Sequence, residues 1–191
     1  MDSFEQLVAS LLEHDGHWVR ASYKVELIAA DKAAISRPSA PRWEIDLVAY
    51  KGATNEILIV ECKSFLNSRG VTMAAFESAD DVNASRYKLF NDVRLLRVVR
   101  HRLVAQLTDA GACRPRPRVR LCLVVGRIAS ETDRARLCAH FRRKGWTLWD
   151  ETWIAERLRR LADGGYQDDV ASVVAKLLRS AEKKGTGDHG A

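Results

Sequence analysis

The sequence predicts one mixed α/β domain built around a central sheet, and three observations predict it. Apolar residues at helical spacing open the chain, in "FEQLVASLLEH" (4–14). Two apolar runs flank a polar turn in "EIDLVAYKGATNEILIVECKSF" (44–65). A continuous apolar run, "VRLCLVVG" (119–126), then precedes a helix, a short strand and more helix. Helices interspersed with strands in this order pack as layers on a sheet.

Each element follows from its pattern. Phe4, Leu7, Val8, Leu11 and Leu12 share one helical face, which predicts a helix over 2–14 capped by Asp2 or Ser3. Residues 17–27 read as a strand whose alternation is imperfect. The prolines in 29–42 predict a stretch that is largely loop. Residues 43–50 and 56–63 read as antiparallel strands joined by "KGATN". After a loop at 66–72 and a shorter helix within 73–82, one long helix is expected from Ala84 to Leu107. Leu89, Val93, Leu96, Leu103 and Leu107 would form its buried stripe. Residues 119–126 suit a central strand covered on both faces. A helix at 130–143, a strand at 145–150 and a helix at 151–162 follow, the last with Ile154, Leu158 and Leu161 inward. The last helix is expected at 168–181. The domain would thus span 1–181, with 182–191 as a disordered tail.

Composition narrows the function classes. No apolar run approaches the ~20 residues needed to cross a membrane. The acidic, amphipathic opening segment does not read as a secretion signal. Cys62, Cys113, Cys122 and Cys138 show no metal-ligand spacing, so a reducing cytoplasm is the expected compartment. The formal charge is +6. Residues 97–120 hold seven arginines (Arg97, Arg100, Arg102, Arg114, Arg116, Arg118, Arg120) and one acid, Asp109, so this window carries the whole excess. Such clustering is what a polyanion-binding patch looks like; a solvated helix end and loop is the plainer alternative.

The chemistry concentrates where the apolar strand 56–63 ends in Glu61-Cys62-Lys63. Alternate residues of a strand share a face, so Glu61 and Lys63 point one way and Cys62 points into packing with Val60. Asp46 lies on the preceding strand, within reach across a short hairpin. Two carboxylates and a lysine at the end of a buried sheet are costly without compensation. A divalent cation compensates: Mg²⁺ takes one or two carboxylates plus water and phosphate oxygens, and it supports phosphodiester hydrolysis. The plainer alternatives are an Asp46–Lys51 pair and a surface Glu61–Lys63 pair.

This arrangement resembles the PD-(D/E)xK nuclease superfamily, nearest to its Mrr-like and Holliday-junction-resolvase-like members. Asp46 stands for the first acid of the motif and "ECK" (61–63) for its second half. "FEQLVASLLEHDGHWV" is similar to the opening helix of those members, in which a glutamate such as Glu5 reaches the site. Ile45 replaces the usual proline, and "PRWEID" replaces the Asp-Gly-Gly approach of Mrr-like chains. The resemblance implies a restriction-endonuclease-like three-layer α/β/α core with a central mixed sheet of four to five strands. It also implies a Mg²⁺-dependent endodeoxyribonuclease, with Mn²⁺ able to substitute. Asp46 and Glu61 would hold the ion with the Cys62 backbone carbonyl, and Glu5 would serve as an outer ligand. Lys63 would assist the attacking water, the seven arginines would grip DNA, and the chain would act as a homodimer. The competing functions are a catalytically silent nucleic-acid-binding module of the same fold and a partner-dependent nuclease subunit of a defence or mobile-element system.

Overall fold

The structure, a computed structural model of the 191-residue chain, describes residues 1–36, 39, 42–77, 81–165 and 168–185. Helix α1 spans Ser3–His14. Asp2 caps it: its carboxylate accepts the Glu5 N–H (2.8 Å), and the Glu5 carboxylate accepts the Asp2 N–H (3.2 Å). Phe4, Val8, Leu11 and Leu12 bury the expected stripe.

Three antiparallel strands follow: β1 (Trp18–Glu26), β2 (Arg42–Lys51) and β3 (Glu56–Lys63). Between β1 and β2 the chain forms α2 (Ala29–Ala34), where a loop was expected. Four alanines favour the helix, and the Asp31 carboxylate accepts the Ile28 N–H (3.1 Å) at its start. Pro38 and Pro41 lie outside the described residues. Helix α3 is the short Ala74–Glu77.

The long helix expected from Ala84 is broken. A 3₁₀ turn (Ala84–Tyr87) leads into α4 (Lys88–Asn91), and Asp92 then caps a new helix, α5 (Val93–Asp109), accepting the Leu95 N–H at 2.9 Å. The break rotates the stripe. Leu95, Val99, Leu103 and Leu107 are buried, whereas Val93 is 70 % exposed.

Strand β4 (Arg118–Val125) is parallel to β3, and β5 (Thr147–Trp149) is parallel to β4, giving the sheet order β1-β2-β3-β4-β5. Helix α6 (Glu131–Lys144) links β4 to β5; α7 (Glu151–Asp163) and α8 (Val170–Gly185) end the described chain. Strand β5 is shorter than expected because Gly145, at φ 69°, closes α6. Helix α8 runs past residue 181, so the start of the expected tail is helical; 186–191 lie outside the described residues.

The sheet is covered on both faces, so the domain is a three-layer α/β/α sandwich. One face carries Ile57, Ile59, Leu121, Leu123 and Val125 against α4, α5 and α6. The other carries Leu47, Leu58, Val60, Cys62, Cys122 and Val124 against α1 and α7. Helix α8 packs outside on α7, and its Lys176 and Arg179 donate to the α7-end carbonyls of Ala162 and Gly164. Among the described residues, no helix is long and apolar enough to cross a membrane.

Candidate active site

Strand register builds the site. The β2–β3 ladder runs from Lys51↔Glu56 to Leu47↔Val60 and stops there. One step further, Asp46 would face Glu61. Instead of a backbone bridge, the Asp46 carboxylate takes over, with Oδ2 accepting the Cys62 N–H at 2.8 Å. The two strands part at this point, and the gap is filled by carboxylates.

A second irregularity coincides with the first. In β1 and β2, Ala21↔Leu47 and Tyr23↔Ile45 are paired, so Ser22 and Asp46 face each other between them. Before that point Val19, Ala21, Leu47 and Ala49 face the α1 side; beyond it Tyr23, Val25, Trp43 and Ile45 face the α5 side. Both strands change face at one step. Ser22 makes the turn with φ at 48°, a conformation uncommon for a non-glycine residue. The kink sets Asp46 at the corner of the ribbon.

Lys63 Nζ lies 3.5 Å from Glu61 Oε2 and 3.7 Å from Asp46 Oδ2. The Glu61 side chain is 13 % exposed, and those of Asp46 and Lys63 are each 24 % exposed. Burial raises the Glu61 pKa, the Asp46 charge raises it further, and Lys63 offsets only part, leaving it at about 7. Glu5 reaches the same field from the N-terminal turn of α1. Burial and then Asp46 raise its pKa, against the lowering effect of the Asp2 N–H. Cys62 points into the α1-side core, where burial pushes its thiol up.

The structure thus brings Asp46, Glu61 and Lys63 into contact and Glu5 within electrostatic reach. The alternative partner for Asp46 is engaged elsewhere, since Lys51 Nζ donates to the Asp15 carbonyl (2.8 Å) at the other end of the sheet. Glu44 is exposed on β2. Three carboxylates meet two ammonium groups here, Lys63 between Asp46 and Glu61 and the Met1 amine 3.8 Å from Glu5 Oε2. The buried Asp46–Glu61 pair shares Lys63 alone, an arrangement that fits a hard divalent cation taking one or two carboxylates. Among the described residues, no group of three or more His, Cys, Asp or Glu side chains converges as a ready-made cage. Protein ligands would therefore be two carboxylates and backbone oxygen.

The end of β3 is held from below. The Gly126 N–H donates to the Lys63 carbonyl (3.0 Å), and a Cβ at Gly126 would run into the Ser64 carbonyl oxygen. The loop after Lys63 is then tied back, with Val71 bridged to Ile128.

The arginine window does not form one surface beside the site. Arg118 and Arg120 reach Glu56 at 2.9 and 3.0 Å, at the start of β3. That is about 17 Å along the strand from Glu61. Arg114 donates to the Gly52 carbonyl in the β2–β3 turn. Arg102 pairs with Asp31 (3.2 Å) and the Glu26 carbonyl (3.3 Å). Arg97, Arg100 and Arg116 line an open groove along α5.

Ser22 is the site-shaping residue that motif reading missed. Its signal was the imperfect alternation of 17–27, which marks the face change. Comparison with protein-family models, curated proteins and solved structures gives no match.

Proposed function

We propose that the protein is a metal-dependent DNA endonuclease of the PD-(D/E)xK, restriction-endonuclease-like kind. One observation carries the reading: Asp46, Glu61 and Lys63 meet where β2 and β3 part, with Glu61 held near neutrality by burial and Asp46. Asp46 and Glu61, with the Cys62 carbonyl, would hold Mg²⁺, and Mn²⁺ would substitute; Glu5 would act from the next layer of ligands. The bound ion supplies charge neutralisation and a more acidic water. Lys63 orients that water or the scissile phosphate from its place between the two carboxylates. Arg69 and Arg127 add exposed cations on the loops that follow β3 and β4. Phosphodiester cleavage of this type leaves 5′-phosphate ends.

Cutting both strands requires two such sites. Helix α8 exposes Val170, Val174, Leu177 and Leu178, and a second copy would meet the first there. Trp149 and Trp153 lie away from that face, stacked on each other with ring centroids 4.4 Å apart against the α1-side core.

A second reading, a subunit whose cation site is completed by a partner protein, is favoured by the absence of a three-ligand group among the described residues. A plasmid-nicking assay separates the two. Nicking by the pure protein that needs Mg²⁺ or Mn²⁺ and is lost in Asp46→Asn supports the first. Silence of the wild type under all divalent ions removes it, and Mg²⁺-dependent nicking that persists in Asp46→Asn removes this site.

A further inference from the structure

The groove beside α5 has no role in the site just described. It holds about 820 Å³ between α5 and the segment leading into β4. Its wall follows Val93, Leu96, Arg97, Arg100 and Val104, which recur at helical spacing along one face of α5, and Arg116 stands opposite. The lining continues to Asp109, so the groove follows all 17 residues of α5, about 25 Å.

We propose that this groove docks an acidic amphipathic helix of another protein. Two features define that occupant. The floor is apolar, and Val93 at its mouth is 70 % exposed; such a floor favours side chains that also leave water. The rim is basic from both walls, so the complementary surface carries carboxylates. Arg116 is held ready by the fold. Its backbone sits at φ 55°, and Asn55 Nδ2 donates to the Pro115 carbonyl at 3.1 Å. Of the other four arginines of the window, Arg102 pairs with Asp31, Arg118 and Arg120 share Glu56, and Arg114 donates to the Gly52 carbonyl, whereas Arg97, Arg100 and Arg116 line the groove. A straight helix-sized face with alternating apolar and basic positions fits helix-in-groove recognition. A phosphodiester backbone would satisfy the arginines and leave the apolar floor wet. The exposed helix α8 of a second copy is disfavoured by sign, since its sequence carries Lys176, Arg179, Lys183 and Lys184 against one acid, Glu182.

The test uses fluorescence anisotropy with three labelled probes on the full chain. One is an amphipathic peptide of about 18 residues, matched to the length of α5, with leucines at helical spacing and glutamates flanking them. The second replaces each glutamate by lysine. The third is a duplex DNA oligonucleotide. The acidic peptide should bind saturably and about tenfold or more tightly than the lysine peptide, the scale of a few complementary charges. Arg97→Glu with Arg100→Glu, both exposed, should reverse that preference; Arg116→Glu alone should move it in the same direction. A misfolded variant binds neither peptide, so the reversal carries its own control. Absence of saturable binding by the acidic peptide, or equal binding of both peptides, overturns the proposal. So does a loss of duplex binding in these variants with peptide binding unchanged, which would assign the groove to DNA.

Discussion

At the scale of single residues, Glu61 is the most exacting test. Its pKa rises from an ordinary 4.5 to about 7 in the folded chain. A carboxylate with a raised folded pKa costs stability once it ionises. The cost is absent below about pH 4.5, grows as pH rises towards 7 and is complete above that. Glu61→Gln should therefore stabilise the fold at pH 8 by about 1 to 3 kcal/mol and leave it unchanged at pH 4. The same substitution should abolish cleavage. Thermal melts at the two pH values check the first part, and an equal effect at both would show that Glu61 is not held near neutrality. Because the ion and the proton compete for Glu61, wild-type cleavage should climb with pH through about 7. Lys63→Ala tests the other half of the contact. It removes no proposed ligand, so Mg²⁺-induced stabilisation should survive while turnover falls roughly 100-fold. Turnover equal to wild type would make Lys63 structural only.

At the scale of elements, the kink shared by β1 and β2 sets Asp46 in place. Ser22→Gly accepts the positive φ and should be tolerated. Ser22→Val adds a β-branched side chain where such residues are strained and should cost about 1 to 3 kcal/mol. Denaturant titration of both variants measures this, and equal stability would show that the strand relaxes without Ser22. Gly126→Ala should be worse than Ser22→Val, because its methyl meets the Ser64 carbonyl rather than a mobile side chain. The strands, their order of appearance and the meeting of Asp46, Glu61 and Lys63 were legible in the sequence, because burial on both faces writes long apolar runs and the Glu61-Cys62-Lys63 ending breaks one. The break at Asp92 was not legible. The apolar spacing runs on through it from Leu89 to Val93, whereas the Asp92 backbone turns extended (φ −112°, ψ 98°) and its side chain accepts the Leu95 N–H to start a new helix. Helix α2 was hidden for the opposite reason, since the prolines beyond it outweighed four alanines.

At the scale of the whole molecule, the site and part of the arginine window lie apart along the sheet. The carboxylates of the site occupy one end, and Arg114, Arg118 and Arg120 the other. Linear clustering in 97–120 suggested one patch, but a helix, a loop and a strand start carry those residues to different places. Assembly is the second property at this scale. Light scattering should show dimers at micromolar concentration that Leu177→Glu with Leu178→Glu converts to monomers. Both leucines are exposed in the single chain, so the monomer should melt as before. A wild-type monomer, free and on uncleaved DNA, would leave nicking as the expected activity.

The burial of Cys62 makes the site strand a clock. Among the four free thiols, Cys138 is exposed, while Cys62, Cys113 and Cys122 are buried. A neutral thiol reagent should modify one cysteine at once. Its attack on Cys62 has to wait until the end of β3 lifts from α1, so the slow phase times that opening. Any ion that ties Asp46 to Glu61 would clamp the strands on either side of the thiol, and the clock should run slower in its presence even where no DNA is cut.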